Sequence, residues 1–122
     1  MARVLVVEDE QQMRRMIGRV LAAAGHRVLE AENGEKALSL LAAGIPDLVI
    51  TDLFMPEKEG IETIRAIRQN HPDLPIIAMT GGGYHGNLQL LSVAEKFGAN
   101  ARLAKPFRSD ELLAVVAKVL SN

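Results

Sequence analysis

Short apolar runs alternate along the whole chain with longer segments of helical periodicity, and this alternation is the strongest constraint on the fold. Each of five runs is followed by apolar residues at three- and four-residue spacing, which is typical of amphipathic helices. The predicted strands are RVLVV from Arg3, RVLEA from Arg27, DLVITD from Asp47, LPIIAMT from Leu74 and ARLAK from Ala101. Strict alternation of this kind predicts a parallel sheet with helices on both faces.

Residues that commonly begin or end helices delimit the five helical segments. Asn33 is a favourable N-cap, and Gly25, Gly44 and Gly98 each follow a helical pattern. The predicted helices cover residues 13–24, 34–43, 61–70, 88–97 and 109–120.

The strands differ in polarity, which predicts their places in the sheet. The first, third and fourth strands are nearly all apolar, as expected where helices cover both faces. The second and fifth strands carry more polar residues, so we place them at the edges. A doubly wound sheet of this kind binds its ligand at the carboxyl ends of the strands, where the strand order reverses.

Size and composition exclude several classes of protein. A chain of 122 residues, 48% hydrophobic, is expected to form one domain over residues 1–122 and not to be disordered. A net charge of -1 gives no footprint for direct nucleic-acid binding. No apolar stretch is long enough to span a membrane, and the N-terminus does not resemble a signal peptide. The absence of cysteine excludes disulfides and thiolate metal sites and fits a cytoplasmic location.

Acidic residues follow two of the predicted strands. Glu8 and Asp9 come directly after the first strand, and Asp52 closes the third. If these strands are neighbours, the three carboxylates converge on one edge of the sheet. Asp47 and Asp73 precede their strands and are expected at the opposite edge. Any single acid could instead cap a helix or a turn, but the set at matching strand ends favours a site.

The charge of this cluster predicts a cation. Carboxylates about 5 Å apart repel by roughly 3 kcal/mol at an effective dielectric of about 20, so three pairs approach about 10 kcal/mol. That sum is comparable to the stability of a domain. Lys105, at the end of the fifth strand, supplies one positive charge, and Thr80 ends the fourth strand at the same edge. Oxygen ligands without nearby His or Cys favour Mg²⁺ (or Mn²⁺) over zinc.

These residues lie in motifs that resemble the receiver domain of bacterial two-component response regulators. The matching segments are VVEDE, DLVITDLFMPEKEG, IIAMTG and AKPF, in that order, and the resemblance covers essentially the whole chain. It implies a CheY-like, flavodoxin-like α/β fold, with strand order 2-1-3-4-5 and five helices.

The resemblance also implies roles for the residues of the cluster. Asp52 would accept a phosphoryl group from a phosphohistidine on a sensor histidine kinase or phosphotransfer protein. The metal ligands would be Asp9, Asp52, the backbone carbonyl of Phe54 and, partly through water, Glu8.

The phosphoryl group would be bound by Thr80, Gly81 and Lys105, and the bond before Pro106 is expected to be cis. The domain would be a signalling protein, not an enzyme, although it assists its own phosphorylation and dephosphorylation. Its phosphorylation would switch the surface around the fourth helix, fifth strand and fifth helix, which controls an unidentified partner or output domain.

Two features concern contacts of the domain. In the family, the residue at the position of Thr80 usually switches together with an aromatic residue three positions before the lysine. This chain has Arg102 at that position before Lys105, so the resemblance does not decide whether the same switch operates here. The outer face of the first helix is expected to carry Gln11, Arg14, Arg15 and Gly18, and the resemblance implies that this face docks the kinase. For Arg102 and for each helix residue, an ordinary solvated position is a comparable alternative.

Three other functions are alternatives to the receiver domain. An aspartate-nucleophile phosphatase would place two aspartates after one strand and carry a cap domain. A flavodoxin-like cofactor binder would want a phosphate-binding loop where this chain has EDEQQ. A receiver-like module that is never phosphorylated is kept open by Arg102. The output is expected either from a single-domain regulator or from a longer chain of which this is a part.

Overall fold

The computed structural model describes residues 2–53, 59–81, 96 and 98–121. The five strands are β1 (Arg3–Val7), β2 (Arg27–Ala31), β3 (Leu48–Asp52), β4 (Ile76–Gly81) and β5 (Ala101–Lys105). The helices are α1 (Gln11–Ala23), α2 (Gly34–Ala43), α3 (Glu59–Asn70) and a C-terminal helix (Ser109–Leu120). The predicted fourth helix lies outside the described residues except for Lys96, which is helical.

All five strands are parallel and form one sheet in the order β2-β1-β3-β4-β5. This order confirms the predicted doubly wound fold and the placement of β2 and β5 at the edges. The carboxyl ends of β1 and β3 are adjacent, because Val7 pairs with Thr51. The ends of β4 and β5 are also adjacent, because Gly81 pairs with Lys105.

Two apolar layers cover the two faces of the sheet. One layer packs α2 and α3 against the sheet through Ala37, Leu41, Ile64 and Ile67. The other packs α1 and the C-terminal helix through residues that include Ile17, Leu21, Leu112 and Val116. Strand β3 is buried along its whole length, as its continuous apolar sequence predicts. The helices on both faces therefore hold the end of β3 in a fixed position.

The helix boundaries follow from local chemistry. The Asn33 side chain accepts a hydrogen bond from the Lys36 backbone N–H at 2.8 Å, which confirms the predicted cap of α2. The turn after α1 needs Gly25, whose φ of 97° is strained for other residues. None of the described helices is both long enough and apolar enough to cross a membrane.

Two strands begin later than the sequence predicted. Strand β3 starts at Leu48, and the carboxylate of Asp47, just before it, accepts the Arg3 backbone N–H at 2.8 Å. Strand β4 starts at Ile76, after Pro75, which has no N–H to donate, and it extends to Gly81.

Candidate functional site

The predicted acidic residues meet at the carboxyl edge of the sheet. Glu8, Asp9 and Asp52 each place a carboxylate oxygen within 4.8 Å of the other two. The side chains differ in exposure, because Glu8 is 1% and Asp52 3% exposed, whereas Asp9 faces solvent. The cluster therefore has a buried floor and one open side through which an ion or a second protein can approach.

Lys105 closes the site from β5. Its Nζ donates to Glu8 Oε1 at 2.5 Å and to Asp52 Oδ2 at 3.2 Å. The Lys105–Pro106 peptide bond is cis. One lysine thus bridges the two buried carboxylates that come from β1 and β3.

Burial shifts the protonation equilibria of this pair. Burial raises the pKa of Glu8 to about 7, although the hydrogen bond from Lys105 opposes the shift. Burial by itself lowers the pKa of Lys105, but the hydrogen bond to Glu8 and the charge of Asp52 outweigh it and raise that pKa. The lysine therefore stays charged, while Glu8 holds a proton more readily than an exposed glutamate.

The donor set fits a hard divalent cation. Three carboxylates face one lysine, which leaves a formal charge of minus two when all are ionised. Oxygen ligands of this kind suit Mg²⁺, which keeps several waters when it binds one or two carboxylates. The exposed side of the cluster, at Asp9, leaves room for those waters.

Backbone contacts hold Glu8 in place. The Glu10 backbone N–H donates to Glu8 Oε2 at 3.0 Å. The Arg14 guanidinium donates to the Glu8 carbonyl oxygen at 2.9 Å and to Glu30 Oε1 at 3.0 Å. No local sequence pattern indicates this role of Arg14, because its side chain extends from α1 both to the segment after β1 and to β2.

Gly60, at the start of α3, packs directly against the end of β3. A Cβ at this position would lie 2.5 Å from Leu53 Cα and 2.6 Å from the Asp52 carbonyl oxygen. Any larger residue must therefore displace the backbone that carries Asp52. The final glycine of DLFMPEKEG is the sequence signal that indicates this close approach.

The structure assembles only part of the predicted phosphoryl site. Thr80 and Gly81 end β4 beside Ala104 and Lys105, at the same edge as the acids. The Thr80 side chain and the whole of Phe54 lie outside the described residues. The predicted opposite-edge carboxylate Asp47 does lie at the beginning of its strand, where it binds the Arg3 amide.

The expectation for the outer face of α1 was wrong for Gly18 and holds only in part for Arg14. Gln11 and Arg15 are exposed, but Gly18 is buried against β2 and Arg14 is half-buried beside Glu30. A glycine has no side chain whose polarity marks its face, so the sequence pattern could not show that Gly18 packs against β2.

Arg102 is exposed on β5. It alternates along the strand with Leu103, which is buried in the layer beneath the C-terminal helix. The guanidinium therefore lies on the opposite side of β5 from that helix.

Comparison with known proteins places this site in a family. The sequence profile of the response regulator receiver domain matches residues 4–117. The chain is 38% identical over 119 residues to the DNA-binding transcriptional regulator NtrC of Salmonella typhimurium, covering 98% of this chain and 25% of NtrC. It is 36% identical over 120 residues to the transcriptional regulatory protein CpxR of Escherichia coli, covering 98% of this chain and 50% of CpxR.

A solved structure agrees with both sequence matches. The receiver domain of NtrX from Brucella abortus superposes with a TM-score of 0.91 at 30% identity, and each chain is 98% covered. The chain spans about a quarter of NtrC and half of CpxR, so the match concerns one domain of those proteins. From its sequence, its strand order and the structures it resembles, the chain belongs to the response regulator receiver domain family, the signalling domain of two-component systems.

Proposed function

We propose that residues 1–122 form one receiver domain whose Asp52 accepts a phosphoryl group from a phosphohistidine of a sensor histidine kinase or phosphotransfer protein. The observation that carries the proposal is the position of Asp52. Its carboxylate is buried at the end of β3, lies 3.2 Å from Lys105 Nζ, and has Glu8 and Asp9 within ligand distance. A carboxylate held still beside a permanent positive charge is a suitable nucleophile for phosphoryl transfer.

In the proposed step, one Asp52 carboxylate oxygen attacks the phosphorus of the donor. An acyl phosphate O–P bond forms as the N–P bond of the phosphohistidine breaks, and the bonding electron pair remains on the imidazole nitrogen. Lys105 faces the oxygens on which charge accumulates, and its raised pKa keeps it protonated. Phosphoryl transfer depends chiefly on such positioning and charge neutralisation.

Mg²⁺ is the proposed cofactor, and Mn²⁺ fits the same ligands. The residues that would hold it are Glu8 (partly through water), Asp9, Asp52 and the backbone carbonyl of Phe54. The cation supplies positive charge to phosphoryl oxygens. Lys105 cannot by itself balance three carboxylates, which supports this part of the proposal.

Thr80, the Gly81 amide and Lys105 are the proposed binding groups for the phosphoryl oxygens. Their strands end side by side, since Thr80 pairs with Ala104 and Gly81 with Lys105. Phosphorylation adds about one negative charge to the site. We propose that this charge draws Thr80 inward and alters the surface formed by the predicted fourth helix, β5 and the C-terminal helix. That surface would control a downstream protein or output domain in the cytoplasm.

Two further contacts belong to the same proposal. Kinase docking is assigned to α1, where Gln11 and Arg15 are exposed beside the acidic edge, and where Arg14 and Gly18 form the inner side of the helix. Arg102 is assigned to the switch surface because it is exposed on β5. Burying a guanidinium costs more than burying an aromatic ring, so Arg102 is expected to bind a partner's carboxylate instead of turning inward.

The test is the intact mass of the protein after incubation with Mg²⁺ and acetyl phosphate. One phosphoryl adduct is expected in the wild type. It should be absent from Asp52→Asn and from a sample without magnesium. Asp47→Asn is the matched control, because it removes a carboxylate at the opposite edge and should keep the adduct.

An adduct that persists in Asp52→Asn would contradict the proposed acceptor. Complete absence of an adduct would leave a short-lived phosphoryl group or a module that is never phosphorylated. Titration with beryllofluoride, which mimics a bound phosphoryl group, separates these two outcomes. Binding that depends on Asp52 and Mg²⁺ would retain the proposal, and no binding would favour the unphosphorylated module.

A further inference from the structure

A groove runs between α1 and the edge strand β2, on the side of α1 that packs on the sheet. It encloses about 380 Å³ and is lined by Arg15, Gly18, Arg19, Ala22, Val28 and Glu30. The sheet order places β2 at the edge farthest from β5. The groove therefore lies apart from the proposed output surface at β5 and the C-terminal helix.

The wall of the groove formed by α1 carries uncompensated positive charge. Helix α1 contains three arginines and no acidic residue, although the whole chain has a net charge of -1. Arg14 is paired with Glu30 at 3.0 Å, which also neutralises the acid of the opposite wall. Arg15 and Arg19 are exposed, and neither guanidinium makes an ion pair or hydrogen bond within the described part of the chain. The remaining charge is suited to carboxylates from another molecule.

The floor of the groove is open because residue 18 is glycine. A Cβ there would lie 3.5 Å from Val28 Cγ1 and 3.6 Å from Glu30 Oε2, which are ordinary contact distances. Alanine would therefore fit, so the packing of α1 on β2 does not require glycine. A glycine inside a helix is nonetheless about 1 kcal/mol less favourable than alanine. Gly18 thus leaves space that the fold itself does not use.

The edge of β2 offers backbone hydrogen bonds beside this space. The Arg27 N–H and the Ala31 carbonyl bond to Ala2 and Glu8 of the neighbouring strand region. In a parallel strand, the N–H and C=O of one residue point to the same side, and those of the next residue point to the other side. Because Arg27 and Ala31 face the neighbouring strand, the backbone groups of Val28 and Glu30 face outward. A strand added here would place alternate side chains on the α1 side, towards Arg15 and Arg19.

We propose that this groove docks an extended acidic segment of a protein partner, which adds to the edge of β2 and places carboxylates against Arg15 and Arg19. Backbone pairing supplies affinity and the two arginines supply selectivity for acidic side chains. The docking goes beyond the proposed phosphoryl transfer and does not need it, because the groove includes no residue of the Asp52 site, although it shares Arg15 and Gly18 with the helix assigned to kinase docking.

The experiment is an NMR titration of the full chain with a capped hexapeptide of alternating Glu and Thr. Shifts are expected to cluster at α1 residues that line the groove and at β2, and a Lys-Thr peptide should give none. Arg15→Gln combined with Arg19→Gln should weaken binding about three- to tenfold, as loss of two exposed ion pairs predicts. The control pair, Lys36→Gln with Lys118→Gln, removes the same charge outside the groove and outside β2, and should change the Kd less than about twofold.

Two further variants test whether binding depends on the space in the groove floor and whether it depends on the proposed phosphorylation site. Gly18→Ala should raise the thermal unfolding midpoint and weaken peptide binding, because its methyl group enters the groove floor. Asp52→Asn should leave the Kd unchanged even if the proposed acceptor role fails. Equal weakening in both double variants, unchanged binding in Gly18→Ala, or loss of binding in Asp52→Asn would overturn the proposal. Tighter binding of a six-residue oligothymidylate than of the Glu-Thr peptide would overturn the assignment to a protein segment.

Discussion

The polar side chains at the two edges of the sheet differ in how far their charges and hydrogen-bonding groups are paired. At the carboxyl edge, Glu8, Asp9 and Asp52 lie close together, and Lys105 bonds to two of these carboxylates. At the amino edge, the Arg68 guanidinium donates to four oxygens, which are the carbonyls of His71, Pro72 and Gly98 and the side-chain oxygen of Asn100. Among the described residues, the first edge gathers more negative than positive charge, whereas at the second edge the Arg68 guanidinium is bonded to several acceptors.

This difference separates the part of the molecule that is proposed to react from the part that stabilises the fold. Asn100 Oδ1 also accepts the Ile76 backbone N–H at 2.8 Å, so Arg68 and Asn100 join α3 to the starts of β4 and β5. Gly98, with a φ of 118°, lies so close that a Cβ would approach Arg68 Nε to 2.7 Å. Repulsion at the carboxyl edge is then tolerated because contacts such as these hold the strands elsewhere.

The largest expected effect comes from breaking the amino edge. Arg68→Met should lower the free energy of unfolding by about 3 kcal/mol, because several hydrogen bonds to a charged donor are lost together. Mg²⁺ affinity should change less than about twofold, since the site lies at the other edge. Urea unfolding and a Mg²⁺ titration measure the two quantities.

Arg27→Met is the matched control for this prediction. Arg27 is exposed and is replaced by the same residue, so its loss should cost less than about 0.5 kcal/mol. If Arg68→Met lost no more stability than this control, the proposed contrast between the edges would be wrong.

The sequence predicted one edge far better than the other. The ends of the strands can be predicted from the sequence, because apolar runs stop at Glu8, Asp52 and Lys105. Parallel strands then bring their carboxyl ends together. The contacts of Arg68 cannot be predicted from the sequence in this way. Its side chain reaches Asn100 across 32 positions, and both residue types are ordinary on an exposed surface.

The helix faces show the same limit. The apolar spacing within α1 agrees with the structure, in which Ile17 and Leu21 are buried. The expectation that Gly18 faces outward was wrong, and the pattern did not predict the contacts of Arg14 with Glu8 and Glu30. Long charged side chains bind partners on neighbouring elements of the folded protein, and a local sequence pattern contains no information on those partners.

A smaller effect is expected from pH at the carboxyl edge. The pKa of Glu8 is about 7 in the folded protein, above its ordinary value of 4.5. Between these values the folded state holds a proton that the unfolded state has lost, so stability falls as pH rises. Without metal, unfolding free energy should fall by about 2 kcal/mol across this interval on account of Glu8. Urea unfolding in chelator at a series of pH values measures the slope.

Two variants isolate the contribution of Glu8. Glu8→Gln should remove this part of the slope, whereas Glu35→Gln, an acid in the first turn of α2, should keep it. Saturating Mg²⁺ should also flatten the wild-type profile, because the cation favours the ionised carboxylate. Identical pH profiles for Glu8→Gln and the wild type would show that Glu8 does not titrate in this range.

The smallest effect on stability comes from the same substitution made at each edge. Asp9→Asn should raise metal-free stability by less than about 1 kcal/mol, because it relieves repulsion with Glu8 and Asp52. It should weaken Mg²⁺ binding by at least about tenfold. Asp47→Asn should instead lower stability by about 0.5 kcal/mol, because the Arg3 N–H loses a charged acceptor, and should leave Mg²⁺ binding unchanged. Opposite signs for the two variants in urea unfolding would show that crowded carboxylates oppose folding at one edge while an isolated carboxylate supports it at the other. Equal signs would mean that solvent screens the exposed Asp9, and that only the buried pair carries the repulsion.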